Sequence, residues 1–213
     1  MKKLIKKILK PIYFFVLKTV PFLRPIYYTR EYQNPVTFKT FFLQKILGIN
    51  RKAYWPMHYT SMVTGVENIY VGVDVCPGLA PGCYIQGLGK VYIDDFTGLA
   101  PNVGIISANH SMLDLKKHNH GSVKIGKYCW IGMNSVILPN VELGDFTTVA
   151  AGSVVTKSFK KGFCVLRGNP AEIVKEFPPE THEHFVRNQH PIKYYGYIAG
   201  DKFSEFRKKK LKV

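Results

Sequence analysis

The stretch Ile125–Lys160 reads IGKYCW, IGMNSV, ILPNVE, LGDFTT, VAAGSV and VTKSFK, which is six consecutive hexads. Position two is glycine or alanine in four of them, and position five is small or β-branched in all but the last. Position one is always aliphatic: Ile125, Ile131, Ile137, Leu143, Val149 and Val155. This period is typical of short parallel strands stacked as a prism, because one aliphatic side chain per hexad points inward and its small neighbour permits a tight turn. We predict a solenoid with three hexads in each coil.

The same phase continues toward the N-terminus, but less regularly. First-position aliphatic residues in this region are Ile69, Val75, Ile93, Leu99 and Ile105. Pro81 and Gly87 break the rule. The hexad repeat is interrupted between Ile105 and Ile125, because the separation of these two residues along the chain is not a multiple of six. Because a long loop in an otherwise regular stack is a usual place for function, we expect the site in this interruption.

The hexads resemble those of the hexapeptide-repeat acyltransferases over about residues 69–177. The pattern, with the segment Pro81–Gln86, is most similar to the O-acetyltransferases of capsule, lipopolysaccharide and exopolysaccharide synthesis. The resemblance implies a mainly β protein built on a left-handed parallel β-helix, which assembles as a homotrimer with active sites between subunits. The expected parts are a basic N-terminal helical segment (1–66), the β-helix (67–165) with an extended loop (107–123), and a C-terminal helical extension with a basic tail (166–213).

His110 opens the interruption, in the sequence Ser107-Ala-Asn-His-Ser111. An acceptor that attacks a thioester must lose a proton, and a neutral imidazole suits that role near pH 7. The position shortly after Ala100-Pro-Asn-Val103 resembles that of the family's catalytic histidine, which implies that His110 is the general base. The alternative is a loop histidine that only packs or bonds to the backbone. Weaker candidates, for binding the acceptor, are Asn109, Tyr84 and Gln86.

The acyl donor is expected farther along the chain. Trp130 lies in a Trp-Ile-Gly motif that resembles the family's, which implies an indole lining the channel for the pantetheine arm, whereas a lone Trp would more often be ordinary packing. Ala151 and Gly152 present bare backbone to a linear thioester. Cationic side chains suit the phosphates of coenzyme A, although they could equally be solvated beside a simple turn. The remaining donor-site candidates are Thr156, Lys157, Arg167, Gly168, Asn169, Pro170 and Lys175.

His118 and His120 raise a second hypothesis, a zinc site shared with His110. Histidines serve this purpose in the related gamma-class carbonic anhydrases. The loop carries Lys116 and Lys117 and lacks matching carboxylate spacing, so we expect no metal. The four cysteines show no CxxC spacing and suit packing in a reducing cytoplasm.

The formal net charge is +16, and it lies mostly at the ends of the chain. Residues 1–52 hold 12 basic residues and 1 acidic residue, residues 53–200 hold 12 and 11, and residues 201–213 hold 6 and 2. The nearly neutral centre offers no basic groove with base-reading or stacking residues. We therefore expect no nucleic-acid partner.

Residues 1–20 combine lysines with aliphatic residues at helical spacing. Pro11, a short apolar run and the lack of a small-residue cleavage site argue against a secretory signal. Two interpretations remain open: a helix lying on the anionic inner face of a membrane, and a helix packed on a neighbouring subunit.

The sequence thus predicts a cytoplasmic acetyl-CoA-dependent O-acetyltransferase that acts on a sugar hydroxyl of a surface-glycan precursor, by direct transfer with no covalent intermediate. The alternatives are N-acetylation of an amino sugar or antibiotic-like acceptor, and a metal-binding or non-catalytic trimeric β-helix.

Overall fold

The computed structural model describes residues 2–180 and 192–213, and the protein is mainly β. The helices are α1 (Lys2–Thr19), α2 (Arg24–Tyr28), α3 (Phe38–Phe41) and α4 (Gly200–Lys210). Short helical turns of other types are Pro21–Leu23 and Val66–Asn68 (3₁₀) and Phe42–Ile46 (π). Residues 181–191 of the expected C-terminal extension lie outside the described part of the chain.

Eighteen short strands follow the N-terminal helices. They are β1 (Met62–Thr64), β2 (Ile69–Val71), β3 (Tyr84–Gln86), β4 (Lys90–Ile93), β5 (Gly98–Leu99), β6 (Gly104–Ile106), β7 (Ala108–His110), β8 (His118–His120), β9 (Ser122–Ile125), β10 (Trp130–Ile131), β11 (Val136–Ile137), β12 (Glu142–Leu143), β13 (Thr147–Val149), β14 (Val154–Val155), β15 (Cys164–Gly168), β16 (Ala171–Glu176), β17 (Tyr194–Tyr195) and β18 (Ile198–Ala199).

Three parallel sheets form the three faces of a prism. Face A contains β1, β3, β6, β11 and β14, face B contains β2, β4, β9 and β12, and face C contains β5, β10, β13 and β15. The chain moves to the next face with each hexad, as in the passage from β10 to β11 to β12. Val136 therefore pairs with Val154, three hexads farther along the chain. One coil is three hexads, as the repeat predicts.

The six first-position aliphatic residues of the repeat are all buried in the core of the prism. The second residue of the hexad is small because successive coils approach each other closely at that position. A Cβ added at Gly132 would lie 2.6 Å from the backbone nitrogen of Ala151 and 2.6 Å from the carbonyl oxygen of Val149. Such contacts are too short for any Cβ, so steric exclusion rather than backbone flexibility selects glycine here.

An aromatic ladder lines the corner between faces B and C. Its ring centroids lie 4.9–5.0 Å apart, one ring per coil. Each of the four residues has a positive φ, between 50° and 61°. A left-handed backbone is unfavourable for an L-residue by about 1–2 kcal/mol, and ring stacking along the corner offsets that cost. The ladder consists of Phe96, Tyr128, Phe146 and Phe163.

The hexad phase of the repeat changes in the coils before β5. This change explains why Pro81 and Gly87 do not follow the first-position rule. Ile69 pairs with Val91, and Tyr84 pairs with Gly104. Both separations exceed three hexads, so the fixed hexad phase does not apply to these coils. Pro81 is accordingly exposed, and Ile85 faces the core.

The ends of the prism are covered by flanking segments. β16 folds back antiparallel on β15 at the C-terminal end. At the other end, Phe203 of α4 is buried in the same apolar core as Tyr54 and Trp55, and its ring stacks on Tyr195. No helix among the described residues is long and apolar enough to cross a membrane.

Gln44 ties the N-terminal helices to the prism. Its side chain is almost fully buried. The amide nitrogen donates to the carbonyl oxygens of Asn50, Ala53 and Trp55 at 2.9–3.2 Å. The amide oxygen accepts from the Met57 backbone nitrogen at 3.1 Å and the Tyr197 hydroxyl at 2.9 Å. One side chain thereby joins three segments of the chain.

Candidate active site

The interruption in the repeat is a β-hairpin that projects from the corner between faces A and B. Gly104 pairs with Val136, which lies much farther along the chain than three hexads, so the hairpin is an insertion in a single coil. Its strands are β7 and β8, which are antiparallel and place His110 opposite His118. The backbone nitrogen of Ser111 donates to the Lys117 carbonyl oxygen at 2.8 Å. The hairpin therefore presents His110 on an ordered strand rather than on an irregular loop.

The His110 ring is oriented by the backbone of its own hairpin. Nδ1 lies 2.7 Å from the carbonyl oxygen of Leu115. A carbonyl oxygen only accepts, so this bond assigns the proton to Nδ1 and leaves the lone pair on Nε2. The side chain is exposed, so Nε2 is accessible to an acceptor hydroxyl. Sequence reasoning missed this orienting group, because a main-chain carbonyl has no residue-type signal.

The other two hairpin histidines make different contacts. The ring centroids of His118 and His110 lie 4.3 Å apart. His120 Nδ1 lies 2.9 Å from the carbonyl oxygen of Leu88, so it holds the hairpin against the preceding coil. Within residues 2–180 and 192–213, no three His, Cys, Asp or Glu side chains are grouped in a way that holds a metal ion.

Gln86 lies beneath the start of the hairpin. Its Oε1 accepts from the backbone nitrogens of Ser107 at 3.1 Å and Ala108 at 2.8 Å. The Ser107 hydroxyl also hydrogen-bonds to the Gln86 carbonyl oxygen. These contacts give Gln86 a positioning role at the base of the strand that carries His110. Tyr84, at the other end of β3, and Asn109, which pairs with Asn119, both have exposed side chains.

Substituting Gln86 with leucine is expected to lower kcat for the acetyl transfer that the sequence predicts roughly 10- to 100-fold, because two backbone N–H groups lose their acceptor and the hairpin shifts. KM for acetyl-CoA should stay nearly unchanged, since Gln86 contacts the hairpin backbone and none of the donor candidates. Gln86→Glu preserves an acceptor for both N–H groups, so it should recover most of the activity. A rise in KM with constant kcat, or no rescue by Gln86→Glu, would show that Gln86 binds substrate instead. Steady-state kinetics of the two variants separate these outcomes.

Trp130 lies on face C and is about half exposed, 46%. Its indole rests against Gly98 of the previous coil. A Cβ at Gly98 would lie 2.9 Å from Trp130 Cζ3 and 2.7 Å from Gln33 Nε2. Gln33 comes from the N-terminal segment, where Asp74 Oδ2 accepts from its backbone nitrogen at 2.8 Å. Gln33 was not a sequence candidate, since its distance along the chain hides its proximity to the Trp130 surface.

Ala151 and Gly152 form the corner between faces C and A. Both are exposed, and Gly152 has φ of 71° with open space where a Cβ would point. Thr156 and Lys157 follow β14 and are also exposed. Lys157 Nζ forms an exposed ion pair with Glu172 at 2.8 Å. The bare backbone at this corner is available to a ligand, and Lys157 would share its N–H donors between Glu172 and a bound anion.

The remaining donor candidates lie in the hairpin that closes the prism. Arg167 and Gly168 end β15, Asn169 and Pro170 form the turn, and Lys175 lies in β16. The Gly168 backbone nitrogen donates to Ser153 Oγ at 3.2 Å, which fixes the turn to the corner beside Gly152. Within the described residues, Arg167 and Lys175 have no carboxylate partner within 4 Å, in contrast to Lys157.

Within one chain, the His110 hairpin and the acyl-donor candidates do not lie together. The His110 hairpin leaves the corner between faces A and B. Trp130 is on face C, and the Gly152 corner lies between faces C and A. His110 and the donor candidates are thus on different sides of one prism.

The four cysteines are buried and free. Burial raises the pKa of the Cys129 thiol to about 12, because a thiolate is disfavoured in an apolar environment. Burial also raises the pKa of Cys76, Cys83 and Cys164. Burial and a raised pKa both favour packing over a nucleophilic role for these thiols.

The family model of the bacterial transferase hexapeptide, described as six repeats, matches residues 122–157. The chain carries a bacterial transferase hexapeptide repeat. The matched residues run from β9 through β14, which is the regular part of the hexapeptide prism.

Candidate acetyltransferases are similar to about half of this chain. One from Saccharomyces cerevisiae is 37% identical over 115 residues, covering 52% of this chain and 57% of the relative. One from Dictyostelium discoideum is 37% identical over 119 residues, covering 54% and 60%. The chain thus spans less than two thirds of the length of these relatives.

Two solved structures share the hexapeptide fold. A maltose O-acetyltransferase from Clostridium difficile is 26% identical, with a TM-score of 0.54 and coverage of 76% of this chain and 90% of that one. A galactoside acetyltransferase in complex with coenzyme A is 23% identical, with a TM-score of 0.58 and coverage of 82% and 88%. The second likeness concerns the fold alone.

Proposed function

We propose that this protein is an acetyl-CoA-dependent O-acetyltransferase that acts on a sugar hydroxyl of a surface-glycan precursor. The observation that carries the proposal is the orientation of His110 on its inserted hairpin, with Nδ1 bonded to the Leu115 carbonyl and Nε2 accessible. The similarity to candidate acetyltransferases and to a maltose O-acetyltransferase supports acetyl as the group and a saccharide as the acceptor.

The proposed reaction is a direct transfer. His110 Nε2 takes the proton of the acceptor hydroxyl as its oxygen attacks the thioester carbonyl carbon. The C–O bond forms, the C–S bond breaks, and the proton passes to the departing coenzyme A thiolate. The high pKa of the buried cysteine thiols supports this route over a covalent thioester on the enzyme.

For the donor, we propose the surface formed by Trp130 and the corner at Ala151 and Gly152. The exposed indole and bare backbone suit a narrow pantetheine arm. Arg167 and Lys175 are the cations available for the phosphates, since neither has a carboxylate partner in the described part of the chain. The coenzyme A bound to the galactoside acetyltransferase is in line with this choice of donor.

We propose that three copies of a left-handed hexapeptide prism assemble, so that the His110 hairpin of one faces the donor surface of the next. The separation of these groups on one chain supports this arrangement. The tip of the hairpin supports it as well, because Met112 and Leu113 are 98% and 99% exposed and need a partner surface. The trimer is proposed to work on the cytoplasmic side of a membrane, with residues 1–20 in contact with anionic lipid.

Incubation with acetyl-CoA and a panel of sugar nucleotides, lipid-linked sugars and amino sugars tests the function. We expect coenzyme A thiol release together with an ester-linked acetyl group on a sugar hydroxyl, detected by mass and removed by mild alkali. An alkali-stable product on an amino sugar would replace O-transfer with N-transfer. Absence of both product and coenzyme A binding across the panel would overturn the acetyltransferase proposal.

A further inference from the structure

The N-terminal helices expose a stripe of apolar side chains, which is unusual for a surface that faces only water. In α1, Leu17 is buried against the rest of the unit. Four other apolar residues, spaced i, i+3, i+4 and i+7 and therefore on one face of the helix, are 41–56% exposed. They are Leu9, Ile12, Tyr13 and Val16. An amphipathic helix usually turns such a stripe toward the core, but here the stripe points away from it.

A second apolar patch lies in the segment that follows. The rings of Phe38 and Phe42 are stacked 6.5 Å apart, at 57% and 42% exposure. Beside them, at the end of the π-helical turn, Ile46 and Leu47 are about 60% exposed. Residues from α3 and this turn thus display a group of large side chains, which we name the Phe38 patch.

Phe22 lies between α1 and α3 in the chain and packs against the core that they share. It lies in the turn directly after α1 and is 63% exposed. Its ring stacks on Phe41 of α3, with the centroids 6.2 Å apart and the planes at 22°. Phe41 itself belongs to the same small core as Leu17. The two apolar groups are therefore parts of one packed helical unit.

The charge around this unit identifies its partner. Residues 1–52 contain 12 basic residues and 1 acidic residue. That acidic residue, Glu31, is already paired with Arg30 at 3.2 Å. Basic side chains at Lys10, Lys18 and Lys39 are exposed among the apolar ones. The same N-terminal unit of a second copy, which carries the same 12 basic residues and 1 acidic residue, would be repelled by such a surface, whereas an anionic lipid headgroup layer is attracted to it.

We infer that the α1 stripe, Phe22 and the Phe38 patch form one membrane-docking surface for anionic lipid. The aromatic and aliphatic side chains enter the boundary between headgroups and acyl chains, and the lysines remain among the headgroups. This inference rests on the proposed contact of residues 1–20 and adds to it a second, separate contact by residues 38–47. It does not depend on acetyl transfer.

Sedimentation of the full chain with vesicles tests the surface. The unmodified protein should bind vesicles of phosphatidylcholine with phosphatidylserine at least about tenfold more tightly than vesicles of phosphatidylcholine alone, and added salt should weaken that binding. Two double variants remove one apolar group each: Ile12→Ser with Tyr13→Ser, and Phe38→Ser with Phe42→Ser. Each should reduce binding about tenfold, because fewer apolar side chains enter the lipid.

A third double variant is the matched control. Tyr59→Ser with Met62→Ser removes two large side chains of similar exposure, 52% and 59%, that lie outside the docking surface. This variant should bind both kinds of vesicle as the unmodified protein does. Circular dichroism of each variant checks that the fold is preserved.

The outcomes distinguish the parts of the inference. Full binding by the Phe38/Phe42 variant, with loss in the Ile12/Tyr13 variant, would leave the contact of residues 1–20 and overturn the second contact. Equal binding to both vesicle types would overturn the lipid assignment. A change of oligomeric state in light scattering, with unchanged vesicle binding, would overturn the inference and show that another copy covers this surface.

Discussion

Replacing His110 with alanine is expected to lower kcat/KM for acetyl transfer by about 10²–10⁴, the range usual for loss of a general base. The acceptor hydroxyl then has no group to receive its proton while it attacks the thioester. The bond from Nδ1 to the Leu115 carbonyl places the proton of the neutral ring on Nδ1, so the Nε2 lone pair is the one that can act as a base.

The same variant should bind coenzyme A with nearly unchanged affinity, because His110 is proposed to contact the acceptor hydroxyl, while other residues on face C and at the Gly152 corner are proposed to bind the donor. Thiol release measures the rate, and calorimetry with coenzyme A measures binding. His58 is the matched control: it is partly exposed, its Nδ1 bonds to the Thr60 hydroxyl at 2.7 Å, and it lies outside the hairpin. His58→Ala should retain full activity.

Retention of activity by His110→Ala, with correct folding, would remove His110 from the mechanism. The proposal of a direct transfer would then need another base, and His118, whose ring is 4.3 Å away, would be the first residue to test. Equal losses in the His110 and His58 variants would indicate a general effect on the protein rather than the loss of a base.

Replacing Gln44 with methionine is expected to lower the free energy of unfolding by about 3 kcal/mol or more, although the two side chains are similar in size. The substitution leaves the Met57 N–H and the Tyr197 hydroxyl without their acceptor, and it removes the Gln44 donor from the Trp55 carbonyl oxygen. These groups are in a buried region, so water does not replace the lost partner.

Urea denaturation followed by circular dichroism measures the change. Gln33→Met is the control, since the Gln33 side chain is exposed, and it should change stability by less than about 0.5 kcal/mol. A loss of less than about 1 kcal/mol in Gln44→Met would mean that the N-terminal helices are attached to the prism mainly by apolar packing.

The regular part of the prism was predictable from the sequence because the constraint is local. Each hexad places one aliphatic side chain inward and one small residue beside it, and Gly132 shows why: the adjacent coil leaves no room for a Cβ. The phase before β5 was not predictable by the same rule. Coils longer than three hexads place Ile85, not Pro81, toward the core, and their lengths are visible only in the pairing of strands.

The candidate site, like the fold, was predictable from the sequence only in part. The interruption and its histidine are visible in the sequence, and so are the donor candidates. The positioning role of Gln86 depends on hydrogen bonds to Ser107 and Ala108 in the next coil, and the contact of Gln33 with Gly98 joins even more distant parts of the chain. No local pattern reports such contacts.

The sequence by itself determined the periodic fold, the place of its interruption and the basic character of the N-terminal segment, because period, composition and charge are properties of neighbouring residues. The tertiary structure alone decided which nitrogen of His110 carries the proton, on which face each candidate lies, and that α1, Phe22 and the Phe38 patch belong to one unit. These features depend on packing between distant segments, whose geometry is set by the whole fold.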